Sequence, residues 1–360
     1  MRLNAIQLFI NSAVMMSTLF IPVLAQRLGA SGTEIGMIGA VYGTALFIST
    51  YLFSRIADSY SPKTILYAGF LSSSLTFFLQ MFAYDPFTLG MIRALAGFSV
   101  GIYPAVLMLY VYNLKRNIGK FSSFMPLGWA VGNMLAGVVA ATWKIFAISS
   151  FFFAFAFLFT MTLPAGEVRI KKKISYFSSD ILKKNRDVYF GFFMRQIGAN
   201  NVWVVFPLYL VSLGANELWV GIIYTINPIL QFFIMRRLDR YKSISLIHIG
   251  DLFSAAAFIA LIPLTRFYQA VAGMILIAFS YACLYVGSTR LLIDTNEEKG
   301  AAAGLLNSAI AFASIIGSLI GGAIYQYFGF RAVMAAGAFF SIMGYVAVRL
   351  SSSDTPQKSS

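Results

Sequence analysis

Long apolar runs follow one another along almost the whole chain, and this pattern restricts the fold more than any other feature of the sequence. A helix that crosses the hydrocarbon core of a bilayer needs about 20 residues, and each run has roughly that length. Of the 360 residues, 59% are hydrophobic and 11% are charged, whereas a soluble domain carries roughly 25% charged residues. A chain of this composition requires an apolar solvent, and we predict an integral membrane protein.

The runs are predicted to be helices rather than strands. Strands of a membrane barrel alternate in polarity over about 10 residues, and these runs are longer and continuous. Irregular backbone in lipid would leave its N–H and C=O groups without hydrogen bonds. The predicted fold class is therefore an all-α membrane protein with twelve transmembrane helices. They are expected at about residues 5–25, 34–54, 64–83, 88–112, 122–142, 145–163, 188–211, 217–235, 244–264, 268–292, 301–326 and 331–350.

The distribution of Lys and Arg between the loops predicts the orientation. If the N terminus is cytoplasmic, 20 of the 27 basic residues fall on the cytoplasmic side, four fall outside and three lie within helices. Such a bias requires an even number of helices, so both termini are expected in the cytoplasm. The predicted location is the cytoplasmic (plasma) membrane, with multiple passes. The net charge of +14 then reflects these loops rather than a nucleic-acid site.

Two repeated motifs indicate that the chain consists of two pseudo-symmetric bundles of six helices. Asp58 follows the second helix and Asp239 follows the eighth, and the segments GNMLAG and GSLIGG recur in the fifth and eleventh helices. Repeats of this kind place the substrate site at their interface. The predicted domains are an N-terminal bundle (1–163), a basic cytoplasmic linker (164–187), a C-terminal bundle (188–350) and a disordered tail (351–360).

Three segments resemble the major facilitator superfamily. SRIADSYSPK is similar to the loop motif G-x-x-x-D-R-x-G-R-[RK] that follows the family's second helix, with Asp58 at the acid and Lys63 at a basic position, although serines replace both glycines and the arginine. LGMIRALAGFSVG, with Arg93, resembles the family's fourth helix. GLLNSAIAFASIIGSLIGGAIYQYFGFRA resembles its eleventh helix. The resemblance implies alternating access by two rocking bundles and does not identify a substrate.

The repeated acids and glycines are candidates for gating. A carboxylate at Asp58 or Asp239 accepts hydrogen bonds from a neighbouring helix N terminus or pairs with an arginine, which is a latch or only a surface salt bridge. Glycines let two helix backbones approach closely, in a moving seam or in static packing. The candidate gating glycines are Gly132, Gly137, Gly317, Gly321 and Gly322.

Charges within the predicted helices are costly, and four ionisable residues are therefore informative. Arg93 and Arg195 lie on the fourth and seventh helices, which line the cavity in the family resembled, and two arginines favour an anionic substrate. Alternatively, Arg195 pairs with Asp251 and Arg93 orders its own bundle. Asp251 and His248, three residues apart on the ninth helix, are the candidates for proton coupling.

Uncharged polar residues form a further set of candidate substrate ligands, and each of them is alternatively a contact between helices. Pro228 should free a backbone carbonyl in the eighth helix. The set is Gln7, Asn11, Asn200, Asn201, Tyr224, Asn227 and Gln231.

Several classes of function are excluded by what the sequence lacks. There is no G-x-x-x-x-G-K-[ST] run for ATP, no loop that resembles a selectivity filter, and no pairing of acids or histidines for catalysis. One histidine and one cysteine predict no metal centre, and no cofactor is expected. We predict a monomeric secondary or facilitative transporter of a small organic solute, with an organic anion among the candidates; its partners are the solute and membrane lipid, without nucleic acid or ATP. The alternatives are an exporter of amphipathic drug-like compounds and a non-transporting receptor or scaffold.

Overall fold

A computed structural model shows α-helices and short 3-10 turns along the described residues, which are 2–56, 61–114, 121, 123–163, 179–297 and 299–353. No strand occurs in these ranges, and the all-helical class is confirmed. The helices are α1 (Arg2–Leu19), α2 (Ile21–Arg27), α3 (Gly32–Ile56), α4 (Pro62–Leu79), α5 (Pro86–Gly101), α6 (Pro104–Asn113), α7 (Phe124–Val139), α8 (Thr142–Met161), α9 (Ser179–Lys184), α10 (Arg186–Trp203), α11 (Phe206–Ser212), α12 (Glu217–Met235), α13 (Ser243–Ala260), α14 (Ala270–Thr295) and α15 (Lys299–Ser353).

Nine helical stretches in the described ranges are long and apolar enough to cross a membrane. One of them, Gly304–Leu350, has 47 residues, which would extend about 70 Å as a straight helix, more than twice the hydrocarbon thickness. The chain bends inside it at Gly329, where φ is 76° and ψ is −178°. The apolar helix α7 has only 16 residues, and α10 and α11 form one apolar run divided by a break.

Prolines interrupt three of the helices that the sequence predicts as continuous. The backbone leaves the helical pattern for one or two residues shortly before Pro22, Pro104 and Pro207. Proline has no N–H to donate, and its ring clashes with the carbonyl group four residues earlier. The first, fourth and seventh predicted helices are therefore each two shorter helices, α1–α2, α5–α6 and α10–α11.

The turns that follow α2 and α11 have the same conformation. Gly29 and Gly214 have φ of 89° and 91°, a left-handed conformation that glycine adopts without a steric cost. The next amide, that of Ala30 or Ala215, bonds to the carbonyl oxygen five residues earlier at 2.9 or 3.0 Å. The sequences LGAS and LGAN around these glycines are 185 residues apart (29 and 214). This repeat was not recognised from the sequence, and it has the same spacing as the GNMLAG and GSLIGG pair.

Helices pack mainly within their own half of the chain. In the first half α1 packs on α7 and α8, α3 on α5, and α4 on α8. In the second half α10 packs on α15, α13 on α14 and α15, and α12 on α14. The main contacts between the halves are made by α3 with α15 and by α7 with α12. These two helix pairs place the candidate site at the boundary between the halves.

The left-handed glycine turn predicts a stability difference between two glycine substitutions. We expect Gly214→Ala to destabilise the protein by about 1–2 kcal/mol, because an alanine Cβ clashes in this conformation. Gly304→Ala is the control, since a Cβ at Gly304 meets nothing within 4 Å and alanine favours a helix by roughly 0.5–1 kcal/mol. Thermal unfolding of the two variants in detergent measures the difference. Equal shifts in the same direction would contradict the repeated-turn interpretation.

Candidate functional site

Glycines on one face of α3 bring its backbone against α15. A Cβ placed on Gly36 would lie 2.5 Å from the carbonyl oxygen of Ser318, and one placed on Gly322 would lie 2.7 Å from the Cα of Gly36. A side chain larger than hydrogen is therefore excluded at both glycines unless the helices separate. We call this contact the first seam. Its members are Gly32, Gly36, Gly39 and Gly43 of α3 and Ser314, Ser318 and Gly322 of α15.

A second seam, formed by Gly137 of α7 and Gly221 of α12, joins the halves in the same way. A Cβ on Gly221 would lie 2.7 Å from the Cα of Gly137, and a Cβ on Gly137 would lie 2.9 Å from the Cα of Gly221. Gly221 follows Gly36 by 185 residues, and Gly322 follows Gly137 by the same number. The two seams are thus equivalent positions of the internal repeat, related by the pseudo-two-fold axis.

The predicted gating glycines separate into two groups. A Cβ on Gly132 would collide with the carbonyl oxygen of Ser12, and a Cβ on Gly321 would collide with that of Asn201. Both contacts lie within one half of the chain, so these glycines hold each half together. Gly137 and Gly322 lie at the seams between the halves, whereas Gly132, Gly317 and Gly321 pack within their own half.

Polar contacts join the halves at the end of the molecule where α3 and α12 begin, which we call the closed end. Arg27 and Glu217 form an ion pair of 3.0 Å, with side chains 56% and 33% exposed. The backbone N–H of Gly32 donates to the side-chain oxygen of Gln326 at 2.6 Å. An exposed ion pair contributes at most about 1 kcal/mol. Most of the stability of the closed end must therefore come from packing at the seams.

The first seam does not continue toward the opposite end of α15. The face that carries Ser318 and Ser314 reaches Asn307 and Gly304 at the same helical spacing, and both of these residues are exposed. A Cβ on Gly304 would meet no atom within 4 Å. Helices α3 and α15 are therefore in backbone contact at the closed end and apart at the other.

Pro228 creates a hydrogen bond between the halves near the middle of α12. Because proline lacks an N–H, the carbonyl group of Tyr224, four residues earlier, has no helical donor. The side-chain Nδ2 of Asn133 on α7 donates to this oxygen at 3.3 Å. The sequence-based prediction that Pro228 frees a carbonyl is confirmed. One residue further along α12, the Thr225 hydroxyl donates to the carbonyl oxygen of Ala130 at 3.3 Å.

Amide and aromatic side chains continue from this point into both halves. Trp129 donates from Nε1 to the side-chain oxygen of Asn11 on α1 at 3.1 Å. On the other side, the Tyr224 ring lies 5.9 Å from the ring of Trp203 on α10. We call the residues of this chain of contacts the central belt. They are Asn11, Trp129, Asn133, Tyr224 and Trp203.

The structure places the other predicted polar ligands around the central belt or inside one half. Asn227 accepts a 2.7 Å hydrogen bond from Gln231, one turn along α12. Asn201 is buried and donates to the carbonyl oxygen of Val333 within the second half. Gln7 and Gln196 each accept, through a backbone carbonyl oxygen, a bond from an asparagine four residues later. These asparagines are Asn11 and Asn200, at 2.8 Å in both cases.

Arg93 is enclosed within the first half of the chain. It is 2% exposed, and its guanidinium carbon lies 3.9 Å from the centre of the Tyr42 ring. One guanidinium nitrogen reaches the side-chain oxygen of Gln80 at 3.4 Å, and the Ser17 hydroxyl donates to the same oxygen at 3.1 Å. An aromatic face and an amide oxygen therefore stabilise this cation in place of a carboxylate.

Arg195 occupies a comparable position in the second half. It is also 2% exposed and donates to Ser254 at 2.7 Å, to the side chain of Gln196 at 2.6 Å and to Ser280 at 3.2 Å. Asp251 is fully buried, but the two side chains form no ion pair, which is the contact that one sequence-based alternative predicts. The neutral acceptors satisfy the guanidinium instead. The role of either arginine as a substrate ligand stays a prediction.

The remaining predicted site residues are placed only in part. The His248 ring packs edge-on against Tyr345 at 5.6 Å, and no hydrogen bond links it to Asp251. Asp58 lies outside the residues that the structure describes. Asp239 lies in the short 3-10 turn Leu238–Arg240, and its side chain is outside the described part of the chain. The gating roles of the two acids stay predictions.

A sequence model of the Major Facilitator Superfamily matches residues 3–184 and 188–360. The chain belongs to this superfamily. Superfamily members are transporters, so the chain is a transmembrane transporter and not an enzyme, and the predicted location in the plasma membrane is confirmed.

Curated relatives match a part of the superfamily fold. The multidrug resistance protein MdtG of Escherichia fergusonii is 31% identical over 149 residues, which are 40% of this chain and 36% of the relative. The protein of the same name from Enterobacter lignolyticus is 32% identical over 149 residues, with the same coverage. The chain therefore aligns with about a third of the length of these relatives.

Solved structures of other superfamily members share the fold over the full length of this chain. The nucleoside transporter NupG has a TM-score of 0.80 at 15% identity, covering 98% of each chain. A bacterial homolog of the lysosomal transporter Spinster, in an inward-facing and occupied conformation, has a TM-score of 0.80 at 13% identity, covering 98% of this chain and 96% of that one. The human organic anion transporter MFSD10 has a TM-score of 0.70 at 15% identity, covering 96% and 98%.

Sequence reasoning missed two members of the central belt in this superfamily chain. Trp129 was given no role, and Asn133 was quoted only as a letter of the GNMLAG motif. A signal for Asn133 was present: it is a polar residue on a helix whose neighbouring positions are small, and it lies opposite a proline-freed carbonyl. Its pairing with Tyr224 requires knowing which face of α7 meets α12.

The contact between Arg93 and Tyr42 predicts a stability difference between two substitutions of the tyrosine. Tyr42→Leu removes the ring and should destabilise the protein by about 0.5–2 kcal/mol, the range for a cation–π contact between exposed and desolvated sites. Tyr42→Phe keeps the ring and should have a much smaller effect. Thermal unfolding of both variants in the same detergent measures the difference, and equal losses for Phe and Leu would show that the ring does not stabilise Arg93.

Proposed function

We propose that this transporter moves a small organic solute by alternating access, as a monomer with six spans in each half and both termini in the cytoplasm. The observation that carries the proposal is the geometry of the seams. Two halves that touch through backbone at one end, and separate toward the other, can exchange the closed and open ends by rocking about the region between them. The central belt lies at that region and is built from both halves.

The orientation predicted from Lys and Arg supports an inward-facing state. The closed end contains the start of α3 and the start of α12, and the basic-residue bias assigns both to the outer face. The open end is then cytoplasmic. The fold also resembles that of the inward-facing Spinster homolog, with a TM-score of 0.80.

Two observations favour an amphipathic organic compound as the solute. The central belt offers aromatic faces and amide groups, which bind the apolar and polar parts of such a compound. The relatives that align with part of the chain are named multidrug resistance proteins. Both arginines that suggested an anion are enclosed within their own halves and bonded to neutral groups.

An organic anion is the second candidate. The positive charge of Arg93 is close to an aromatic ring and an amide oxygen rather than to a carboxylate. A guanidinium without a paired acid retains its preference for an anion that approaches it. Exposure of Arg93 in another conformation would be required for direct binding.

The two solute classes are distinguished by flux from liposomes. We expect purified protein to accelerate the release of preloaded ethidium in a saturable way, and to have a smaller effect on carboxyfluorescein. Trp129→Leu should reduce ethidium flux by about tenfold, equivalent to 1.4 kcal/mol of lost contact, because it removes both the ring and the hydrogen bond to Asn11. Trp129→Phe retains the ring and should lose less. Saturable flux of carboxyfluorescein alone would overturn the amphipathic assignment in favour of the anion.

Closure of the outer end is tested by a second pair of alanine variants. Gly322→Ala places a Cβ 2.5 Å from the carbonyl oxygen of Gly32, and overpacking of this kind costs about 1–3 kcal/mol. The ratio of outward-closed to outward-open molecules should fall by about fivefold or more. Labelling of single cysteines on the outer side of the cavity measures this ratio. Gly304→Ala, on the same helix at the open end, is the matched control and should not change it; equal labelling of both variants would count against the seam as the closing contact.

A further inference from the structure

Asp251 is a buried acid without a partner in the second half of the chain. It lies on α13 with 0% exposure, and neither carboxyl oxygen has a hydrogen-bond partner. The neighbouring Gly250 brings α13 against α14, since a Cβ there would lie 2.5 Å from Leu284. Close packing on both sides keeps the carboxyl group from reaching the surface by a rotation of the helix.

The groups around Asp251 leave Arg195 as its only strong electrostatic partner in the described part of the chain. Arg195 on α10 attracts it, whereas α14 supplies the neutral phenols of Tyr281 and Tyr285. Tyr345 and Arg349 project from α15 and are engaged with each other, and His248 lies one turn away against Tyr345. The surrounding titratable and charged side chains are Arg195, His248, Tyr281, Tyr285, Tyr345 and Arg349.

Arg195 nevertheless directs its N–H groups to Gln196, Ser254 and Ser280. An ionised carboxylate in an apolar interior without hydrogen bonds is so costly that the group takes up a proton instead. A neutral acid has no strong attraction for a guanidinium, which explains why Arg195 bonds to neutral oxygens although Asp251 is near. The observed hydrogen bonds therefore correspond to a protonated Asp251.

We propose that Asp251 is the group at which this transporter binds and releases a proton, that it is protonated in the conformation described here, and that Arg195 is the positioning residue that responds to the loss of the proton. This inference rests on the proposed alternating-access function. On release, the O–H bond of the Asp251 carboxyl group breaks, the proton passes to water, and the resulting carboxylate attracts Arg195 away from Ser254 and Ser280.

The helix that carries Arg195 connects this change to the closed end. The same apolar run continues to Val204, whose methyl groups would lie 3.3 Å from a Cβ on Gly39 of the other half and 2.8 Å from one on Gly321. A shift of α10 toward Asp251 therefore alters contacts at the first seam. Protonation favours the closed outer end, and loss of the proton at higher pH favours its opening.

The protonation state is measured directly by infrared difference spectroscopy of the purified full-length protein at neutral pH. We expect the carbonyl band of a protonated carboxylic acid in the wild type, and its loss in Asp251→Asn. Asp294→Asn, at an exposed acid of α14, is the control and should keep the band. A wild-type spectrum without that band, or an unchanged band in Asp251→Asn, would overturn the inference.

The effect on conformation is measured by the distance between labels at two exposed outer positions, Tyr84→Cys and Tyr268→Cys, in a Cys283→Ala background. Alkaline buffer should increase the distance in the otherwise unmodified protein, Asp251→Asn should stay closed at every pH, and Asp251→Glu should restore the response. An Asp251→Asn variant that responds like the parent would refute the role of Asp251. Thermal unfolding of each variant establishes that it is folded.

The dye flux measured in liposomes separates this inference from the proposed function. Saturable flux together with an unprotonated Asp251 would overturn the inference and leave the transport proposal intact. A protonated Asp251 with the expected pH response, in a protein that moves neither dye, would count against the proposed solutes alone.

Discussion

Direct contact between helix backbones at glycine positions is the interaction on which the arrangement of the two halves depends. Lipid is as apolar as the side chains that face it, so burial of apolar surface gives little preference for one helix pairing over another. Close packing supplies that preference, and it is possible only where no Cβ intervenes. Gly36 with Gly322, and Gly137 with Gly221, meet this requirement at equivalent positions of the repeat.

The buried charges follow from the same lack of water. Arg93 and Arg195 each lie inside a bundle and are stabilised by local neutral groups: a tyrosine ring and an amide for the first, two hydroxyls and an amide for the second. Such contacts leave the charge available for a further electrostatic interaction. Asp251 is the group in the second half that can supply one.

The prediction of helices and of the superfamily from the sequence was correct because both depend on local properties, namely the length of apolar runs and short motifs. The prediction of continuous first, fourth and seventh helices was wrong because Pro22, Pro104 and Pro207 were not treated as breaks. The freed carbonyl at Tyr224 was anticipated from Pro228. Its partner Asn133 was not, because a proline shows which acceptor is free and not which donor will reach it.

The sequence by itself determined that the chain is helical, that it lies in a membrane and that it consists of two repeated halves, since composition, run length and internal repetition are properties of neighbouring or equivalent residues. Only the tertiary structure decided which glycines join the halves, as with Gly322, and which hold one half together, as with Gly321. These two residues are adjacent in the chain and point to different neighbours, because successive residues of a helix are rotated by about 100°.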